Sequence, residues 1–497
     1  MPTEAEHGAV GLHARQTRRA SGGLSRPSEA LAMVLLVLAC SACGETSSFD
    51  AKPPPPSPPP LTSADALISV DPSVVHQTIV GWEATAQAGQ EEPTFSFFKD
   101  ELFDRAVNEL GLNRLRLQVR SGIENGTDWK EAFRSGQIDR NTWRCARYAT
   151  ENDNDDPFDI EWTGFQFSGL DAIIEAVVLP LMQRLEANGE ALFINVTYVA
   201  FTGQICEGGE YHHDDSPEEY AEFVVAVHLH LREKYGLVPD SWEVILEPDN
   251  TDFWRGRQIG ESMVAAAARL EELGFGTPFV APSNTHMGRA VSYFDDLAED
   301  DAALQLLSEL SYHRYGGVSD ANLRSIAERS KRFGIHAAML EHIGSGYEDL
   351  HKDLKIANAS AWQQFTLAFP TSDNGAQYYV IDDVESSAAS VRIGSRTRFL
   401  RQYFRYIRRG ARRIEATTLN PDFDPLAFIN ADGSYVVAIK ADSGGEITIT
   451  GLPAGSYGVN YATLDSYNVD GPVQNISAGE VLLTAIPDQG VLTVYQN

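Results

Sequence analysis

Positive charge is scarce in this sequence. Its 497 residues include 39 lysines and arginines against 70 aspartates and glutamates, which gives a formal net charge of −31. Because phosphate backbones bind to positive surfaces, this balance excludes nucleic acid as a principal partner. The apolar content is ordinary, at 43%, and a chain of this length is expected to contain two or three domains.

Cysteine is also scarce. The four cysteines are Cys40, Cys43, Cys145 and Cys206, and the first two lie at the end of an N-terminal apolar run. That run, residues 30–39, follows several arginines and is too short to cross a bilayer, which takes about 20 apolar residues. A basic segment followed by a short apolar run and small residues predicts an export signal over residues 1–43.

The end of this signal, VLAC at residues 37–40, resembles a bacterial lipobox, in which the cysteine is lipidated and becomes the first residue of the mature protein. We therefore expect lipidation at Cys40, with Cys43 as the second candidate and an ordinary cleaved signal peptide as the alternative. Residues 44–66 form a linker whose proline run favours an extended helix of about 25 Å. The sequence thus predicts an exported, membrane-anchored lipoprotein, periplasmic or at the cell surface.

From residue 77 to about 410, strand-like segments alternate with helix-like segments. One helix is predicted to begin at Ser216, its N-cap, and to end near Gly236. This alternation predicts a closed (β/α)8 barrel; an open doubly wound sheet is the alternative, but the glycine-rich phosphate loop that it often carries is missing. The predicted strand cores are residues 76–82, 114–119, 192–197, 243–248, 279–283, 310–315, 336–341 and 365–369.

The pattern changes after residue 410. Short alternating strands, separated by turn signals such as Asp432-Gly433, predict a β-sandwich over residues 411–497. Residues 67–76, before the barrel, are predicted to add a strand to it. The predicted fold class is therefore α/β plus all-β, a TIM barrel with a C-terminal β-sandwich side domain.

Two of the predicted barrel strands end in a glutamate. The fourth strand is an apolar run that leads into Glu247, and the seventh leads into Glu341. The active site of such a barrel lies at the C-terminal ends of its strands, so both carboxyl groups are expected there; a structural ion pair is the alternative. Glycoside hydrolysis requires a pair of carboxyl groups, one on each side of the scissile bond.

Polar residues on neighbouring strands support this interpretation. Alternation places His313 and Tyr315 on the same face of the sixth strand, where the tyrosine hydroxyl is expected to hold a nucleophile ionised and oriented. On the second strand, Arg116 is expected to lower the pKa of that nucleophile with its positive charge. Arg114 and Arg120 are instead expected at the surface or rim.

Together these features resemble clan A glycoside hydrolases, and within the clan family 30. The resemblance covers residues 67–497, and it implies a retaining β-glycosidase that acts on polysaccharides or oligosaccharides without a cofactor, with Glu247 as acid/base and Glu341 as nucleophile. The motifs that carry it are QTIVGW at 77–82, Gly-x-Asn-x-x-Arg at 111–116, Glu247-Pro248, His313-x-Tyr315, Glu341 and the arginine-rich stretch 405–412.

One position departs from that clan. The residue before the acid/base is usually an asparagine that bonds the sugar 2-hydroxyl, and here it is Leu246. Asn250 and Asn195 are candidates to replace it; otherwise the substrate differs at that hydroxyl, or activity is low. The departure keeps open a second function, a catalytically weak or inactive glycan-binding lipoprotein on the same fold; transglycosylation by the same residues is a third.

The remaining expectations concern aromatic, sulfur and acidic side chains. Trp82 and Trp362 are candidates for apolar contact with sugar rings, with core packing as the alternative. Cys145 and Cys206, in neighbouring loops of an exported protein, are expected to form a disulfide, with two buried free thiols as the alternative. The acidic stretch 152–156 lacks the glycine and distal glutamate of a calcium loop; we expect a solvated loop, no metal site and a monomer.

Overall fold

The computed structural model describes residues 64–201, 213–251, 254–370 and 372–497, apart from the side chain of Asp215. The predicted export signal, the lipidation site Cys40 and most of the proline-rich linker lie outside the described residues. Within those residues, no helix combines the length and the apolar character needed to cross a membrane.

A closed barrel forms the first half of the fold. Each of its eight strands pairs in parallel with the next, and the eighth pairs with both the seventh and the first, which closes the ring. This confirms the predicted (β/α)8 barrel and excludes the open sheet. The described chain begins with strand β1 (Ala66–Thr78), and the eight barrel strands that follow are β2 (Gly81–Thr85), β3 (Arg114–Arg120), β4 (Phe193–Val199), β5 (Ser241–Glu243), β6 (Phe279–His286), β7 (Leu307–Gly316), β8 (His336–Glu341) and β9 (Ala359–Phe369).

Helices connect the barrel strands. The helix Pro217–Tyr235 begins where the sequence predicts, because the Ser216 side chain accepts a hydrogen bond from the amide of Glu219, and it ends at Gly236 in the left-handed region. The α-helices of the described residues are Phe95–Asp104, Trp129–Arg134, Arg140–Ala146, Ser168–Ile173, Leu179–Ala187, Pro217–Tyr235, Pro248–Thr251, Gly256–Glu272, Met287–Leu297, Asp301–Leu306, Asp320–Phe333, Tyr347–Lys352 and Thr397–Phe404.

Two predicted strands are divided differently in the structure. The predicted first strand, 76–82, begins inside β1, and the barrel strand starts only at Gly81, after two register shifts near the end of β1. Strand β5 ends at Glu243, earlier than predicted. Residues 244–247 nevertheless stay hydrogen-bonded to the neighbouring strands, so Glu247 still lies at the C-terminal end of the barrel.

A curled sheet forms the second half of the fold and corresponds to the predicted β-sandwich. Its order in the described chain is β17-β16-β20-β14-β13-β12-β1-β15-β19, with β18 on β16, and β1 lies between β12 and β15. Two further strands, β10 (Gln377–Asp382) and β11 (Ser390–Ile393), extend the barrel sheet at β9. The other strands of the curled sheet are β12 (Arg412–Thr418), β13 (Phe423–Ile429), β14 (Tyr435–Ala441), β15 (Gly445–Thr450), β16 (Gly455–Thr463), β17 (Val469–Asp470), β18 (Gln474–Ile476), β19 (Leu482–Ile486) and β20 (Gly490–Gln496).

The helix Thr397–Phe404 packs between the barrel and the curled sheet. Phe404 stacks on Trp82 of the barrel with ring centroids 4.5 Å apart, and the carbonyl of Gln402 accepts a hydrogen bond from Thr493 of β20 at 2.7 Å. A Cβ at Gly111 would lie 2.6 Å from the Phe404 carbonyl oxygen, so only glycine permits this approach. These contacts hold the helix against both the barrel and the curled sheet.

Candidate active site

Glu247 lies just past β5. Its backbone has φ 53°, in the left-handed region that a non-glycine residue enters at a cost of about 1–2 kcal/mol. The surrounding turn holds it there, because its amide donates to the Ser283 carbonyl at 3.2 Å and Asp249 accepts hydrogen bonds from the amide (2.8 Å) and hydroxyl (2.9 Å) of Thr285. Backbone strain of this kind, held in place by the surrounding structure, is frequent at functional sites.

Glu341 ends β8 and is held by partners from two other strands. Its carboxylate accepts a hydrogen bond from the Tyr315 hydroxyl at 3.0 Å and forms a salt bridge with Nη2 of Arg116. The Arg116 guanidinium also donates to the hydroxyl of Thr85, from Nε at 3.2 Å and from Nη2 at 3.0 Å. The structure therefore brings three of the sequence-predicted site residues, Arg116, Tyr315 and Glu341, into direct contact.

The two glutamates lie close together. One oxygen of Glu247, one of Glu341 and a ring nitrogen of His313 all lie within 4.8 Å of one another. Nδ1 of His313 is 3.1 Å from Oε1 of Glu247, and Asn250 donates from Nδ2 to Oε2 of Glu247 at 3.2 Å. Glu247 and Glu341 keep 7% and 6% of their surface exposed, so both remain accessible from outside the barrel.

The two carboxyl groups have different electrostatic surroundings. Burial and the charge of Asp249 raise the pKa of Glu247 to about 8, against the opposing effects of Asn250 and Arg116. Burial also raises the pKa of Glu341, but there Arg116 opposes it through both its charge and a direct hydrogen bond. Near neutral pH Glu247 is therefore protonated, and the ion pair with Arg116 favours the ionised form of Glu341.

Burial lowers the pKa of His313, so its ring is neutral at neutral pH. Two carboxyl groups and a neutral imidazole at this spacing are also chemically able to hold a metal ion. The guanidinium of Arg116 already binds Glu341, however, and its positive charge opposes a dication at the same oxygens. Acid/base chemistry suits this arrangement better than metal binding.

Arg114 lies deeper in the barrel, and the expectation of a surface or rim position for it is wrong. It is fully buried and forms salt bridges with Glu83 of β2 and Glu309 of β7, the latter at 2.5 Å. Side chains two residues apart on a strand point to the same side, so Arg114 and Arg116 both point into the barrel. The inward position of Arg114 follows from the register of β2 with β3, which pairs Glu83 with Arg114.

Asn195 does not reach the two glutamates. It is fully buried in β4, where its Nδ2 donates to Glu243 at 3.3 Å and its Oδ1 accepts from Ser241 at 2.9 Å. These partners belong to the packed interior, so its assignment to substrate binding is wrong. Asn250, the other predicted substitute for the missing asparagine, is exposed and contacts Glu247.

The two tryptophans predicted to contact sugar rings are core residues instead. Trp82 and Trp362 are both fully buried. The indole of Trp82 donates to the carbonyl of Ile407, that of Trp362 donates to Asp353, and both rings pack on Phe404. Neither ring has a face open to a ligand, because the helix between barrel and curled sheet covers them.

Leu246 is 2% exposed and packs in an apolar cluster with Tyr148, Val199 and Phe201. The position directly before Glu247 is thus part of an apolar wall at the end of β4. Sequence reasoning missed two residues that shape the site, Thr85 and Asp249. Asp249 had a signal, since an aspartate two residues past a strand-end glutamate is placed to cap the turn; Thr85 had none without the strand register.

The predicted Cys145–Cys206 disulfide stays a prediction. Cys145 belongs to the helix Arg140–Ala146, whereas Cys206 lies outside the described residues. Both residues are in segments that follow neighbouring barrel strands, β3 and β4.

No family model and no curated protein sequence matches the chain. A GH30 endoxylanase from Clostridium papyrosolvens C71 superposes with a TM-score of 0.61 over 86% of this chain and 99% of its own, at 16% identity. An endo-β1,6-glucanase superposes with a TM-score of 0.59 (88% and 96% covered, 15% identity), and a conserved exported protein from Bacteroides fragilis with 0.64 (86% and 100% covered, 14% identity). At these identities the likeness shows the fold, a barrel with a β-sandwich.

Proposed function

We propose that the protein is a retaining glycoside hydrolase that cleaves β-linked glycans, with Glu247 as acid/base and Glu341 as nucleophile. The observation that carries this proposal is the pair of nearly buried glutamates at the strand ends, with carboxylate oxygens within 4.8 Å. Carboxyl groups lie about 5–5.5 Å apart in retaining enzymes and about 6.5–9.5 Å apart in inverting ones. One pair of oxygens within 4.8 Å is compatible with the retaining spacing, and on this ground we assign the retaining mechanism.

In the first step, the Glu341 carboxylate attacks the anomeric carbon while Glu247 transfers its proton to the glycosidic oxygen, which leaves as an alcohol. The surroundings suit both roles. A pKa of about 8 keeps the proton on Glu247 near neutral pH, and the Arg116 guanidinium and Tyr315 hydroxyl orient the Glu341 carboxylate.

In the second step, Glu247 is ionised and takes a proton from water as the water oxygen attacks the anomeric carbon of the glycosyl ester. The bond to Glu341 breaks, the sugar is released, and both groups return to their starting states. Two inversions at the anomeric carbon give net retention. Asn250 and His313, which contact Glu247 on its two oxygens, orient it for both proton transfers.

Leu246 bears on how the sugar is recognised, and the similar structures bear on the substrate class. Because a leucine donates no hydrogen bond, recognition of the sugar 2-hydroxyl has to come from another group, and the exposed Asn250 beside Glu247 is the candidate on this chain. The printed activities of similar structures, an endoxylanase and an endo-β1,6-glucanase, direct the search to β-linked polysaccharides. Export, a lipid anchor at Cys40 and a monomeric state remain part of the proposal.

The test is a turnover screen of the full chain against β-linked polysaccharides and aryl β-glycosides, beside Glu341→Gln and a control, Glu299→Gln. Glu299 is exposed on the barrel's outer surface, so the same chemical change there should leave turnover intact. For any substrate that is turned over, NMR of the first product gives the anomeric configuration, and a 2-fluoro glycoside should label Glu341.

Turnover that is lost in Glu341→Gln, kept in Glu299→Gln and proceeds with retention would support the proposal. An inverted product would contradict the mechanism. Glycan binding without turnover, unchanged in Glu341→Gln, would favour the second candidate function, a glycan-binding protein, for which the apolar Leu246 wall is the specific observation.

A further inference from the structure

A second group of acids lies away from Glu247 and Glu341. Asp153 belongs to the long segment between β3 and β4, and Glu219 and Glu222 belong to the first two turns of the helix Pro217–Tyr235. Residues three apart on a helix share a face, so Glu219 and Glu222 point to the same side. One carboxylate oxygen from each of the three residues lies within 4.8 Å of the others.

Glu222 is the residue that distinguishes this group from an ordinary acidic surface. It is 1% exposed, and both of its carboxylate oxygens are buried without a hydrogen-bond donor in the part of the chain that the structure describes. Oε2 of Glu219 and Oδ1 of Asn152 are likewise buried without a donor there. Burying polar oxygens without partners is unfavourable, so either a proton shared between Glu222 and Asp153 or a bound cation has to compensate.

The nearby positive charge does not balance these acids. Burial and the charges of Asp153 and Glu219 raise the pKa of Glu222 to about 8, and Arg269 only partly opposes this. Without a cation Glu222 therefore keeps its proton near neutral pH, and a cation that binds there has to displace that proton. The Arg269 guanidinium donates to the carbonyl of Pro157. Glu124, another acid nearby, is paired with His213 at 2.6 Å.

The chemistry of the unpartnered atoms is uniform, since all are carboxylate or amide oxygens. Such oxygens are the preferred ligands of hard cations, whereas zinc and copper sites use nitrogen and sulfur. Calcium binds oxygens at about 2.3–2.6 Å, so two ligands on opposite sides of one ion are separated by about 5 Å. The observed limit of 4.8 Å is consistent with ligands of a single calcium ion.

We propose that Asp153, Glu219 and Glu222, with the side-chain oxygen of Asn152, form a site for one divalent cation, and that Ca²⁺ is its ligand. Both oxygens of Glu222 bind the ion, as a bidentate carboxylate. Calcium is favoured over magnesium because it accepts irregular geometry and bidentate carboxylates, while magnesium requires a near-ideal octahedron.

The surrounding contacts position the ligands. Asp153 is fixed by its own amide, which donates to Glu124 at 3.1 Å, and by the amide of Glu161, which donates to its Oδ2 at 2.6 Å. A Cβ at Gly164 would lie 2.4 Å from the Cβ of Asp153, so a glycine is required for this close packing. The ion joins the segment after β3 to the helix after β4, two regions beside the C-terminal ends of the barrel strands.

Residues 152–156 are half-buried to exposed, in line with the expected loop, and the proposed site adds a ligand role for Asn152 and Asp153. That stretch has no continuous calcium-loop pattern, and the other ligands come from a helix more than 60 residues away, as Asp153 and Glu219 differ by 66 positions. The proposal does not depend on the glycosidase function, because its readouts are binding and stability.

The test uses the full chain after treatment with EGTA. Calcium binding is measured by isothermal titration calorimetry, and the unfolding midpoint is followed by circular dichroism as CaCl₂ or MgCl₂ is added. The variants are Glu222→Gln and Asp153→Asn, and the matched control is Glu233→Gln, which changes an exposed glutamate of the same helix.

We expect one Ca²⁺ per chain and an unfolding midpoint that rises with the logarithm of the calcium concentration above Kd. Glu222→Gln and Asp153→Asn should each weaken binding by about tenfold or more, because each removes a charged ligand, whereas Glu233→Gln should bind as the parent does. In EGTA near pH 7, Glu222→Gln should be at least as stable as the parent, since burial already keeps Glu222 protonated without the ion and glutamine is neutral too.

Absence of both a binding heat and a calcium-dependent midpoint in the parent would overturn the proposal. It would also be overturned if Glu222→Gln kept the parent's calcium affinity, or if MgCl₂ alone reproduced the whole stabilisation. A Glu222→Gln variant less stable than the parent in EGTA would show instead that the acids share a proton as a structural pair. Should either variant fail to fold, the other provides the same comparison.

Discussion

The acids around Glu341 and the acids around Glu222 lie in the same half of the barrel, at or beyond the C-terminal strand ends, and differ in what surrounds them. Glu341 contacts a guanidinium and a phenol, and Glu247 contacts an amide and an imidazole. Glu222 has no donor within the described residues. Burial raises the pKa in all three cases, so burial does not distinguish them; the partners do.

This difference separates two uses of a buried acid. When the protein supplies donors on several strands, each carboxyl group keeps a fixed position and its own protonation state, as acid/base and nucleophile chemistry requires. When donors are missing and several carboxyl groups point to one place, the acids have to share a proton or bind a cation, and for Glu222 we propose a bound cation. Three predictions test the first half of this comparison.

The largest effect is expected at Glu247. Glu247→Gln keeps the shape of the side chain but removes the transferable proton, so kcat/KM should fall by about 10²–10⁴-fold on substrates with poor leaving groups. Because Glu247 acts in its protonated form, the parent should lose activity as the pH rises through about 8. The charged groups around it are Asp249, Arg116, Glu243 and Glu341, and the imidazole of His313 is neutral. The variant should lack that alkaline limb.

The measurement is kcat/KM as a function of pH, on two aryl glycosides that differ in leaving-group acidity. Less activity should be lost with the better leaving group, since it departs without a proton. An alkaline limb that persists unchanged in Glu247→Gln would assign the titration to another group and break the assignment.

A second large effect is expected in the barrel interior. There Arg114 forms salt bridges with Glu83 and Glu309, as Arg116 does with Glu341. Arg114→Met removes the cation that pairs directly with both acids and leaves only the more distant Arg116 to offset the charge of Glu83. The free energy of unfolding should fall by about 3–5 kcal/mol, measured by urea denaturation at pH 7.

The control is Arg257→Met, since the Arg257 side chain is 84% exposed and pairs with Glu261 at the surface. Exposed pairs contribute about 0–1 kcal/mol, so this variant should unfold almost as the parent does. Equal losses in the two variants would mean that internal charge balance does not stabilise the barrel.

The smallest effect is expected at Tyr315. Tyr315→Phe removes one hydrogen bond to the Glu341 carboxylate, which should lower kcat/KM by about tenfold. The same bond favours the ionised carboxylate, so its loss should raise the pKa of Glu341 and move the acidic limb of the pH profile to higher pH. The control is Tyr435→Phe, in β14 of the curled sheet, which should leave the pH profile unchanged. In Tyr315→Phe, an acidic limb that moves to lower pH would contradict the proposed role.

Sequence reasoning worked best where the signal is local. The periodicity of apolar residues predicted the barrel and the curled sheet, and the serine–proline start of the helix Pro217–Tyr235 was confirmed. Strand ends predicted which residues meet Glu247 and Glu341, because parallel strands present their C-terminal ends at one edge. Residue type left sugar contact and core packing open for Trp82 and Trp362 and misplaced Asn195, since it does not say which face of a strand a neighbouring element covers.

Amino-acid order alone therefore specifies this protein's two sheets and the position of Glu247 and Glu341 at their strand ends, since both depend on spacing along the chain. The arrangement of buried charge depends on tertiary structure. Arg114 pairs with Glu309, which is 195 residues away, and Asp153 meets Glu219 and Glu222 across 66 and 69 positions. Strand register and loop packing decide whether a buried acid lies beside a hydrogen-bond donor, an arginine or only other acids. The physical reason is that the electrostatic energy of a buried charge depends on the charges within a few ångströms of it.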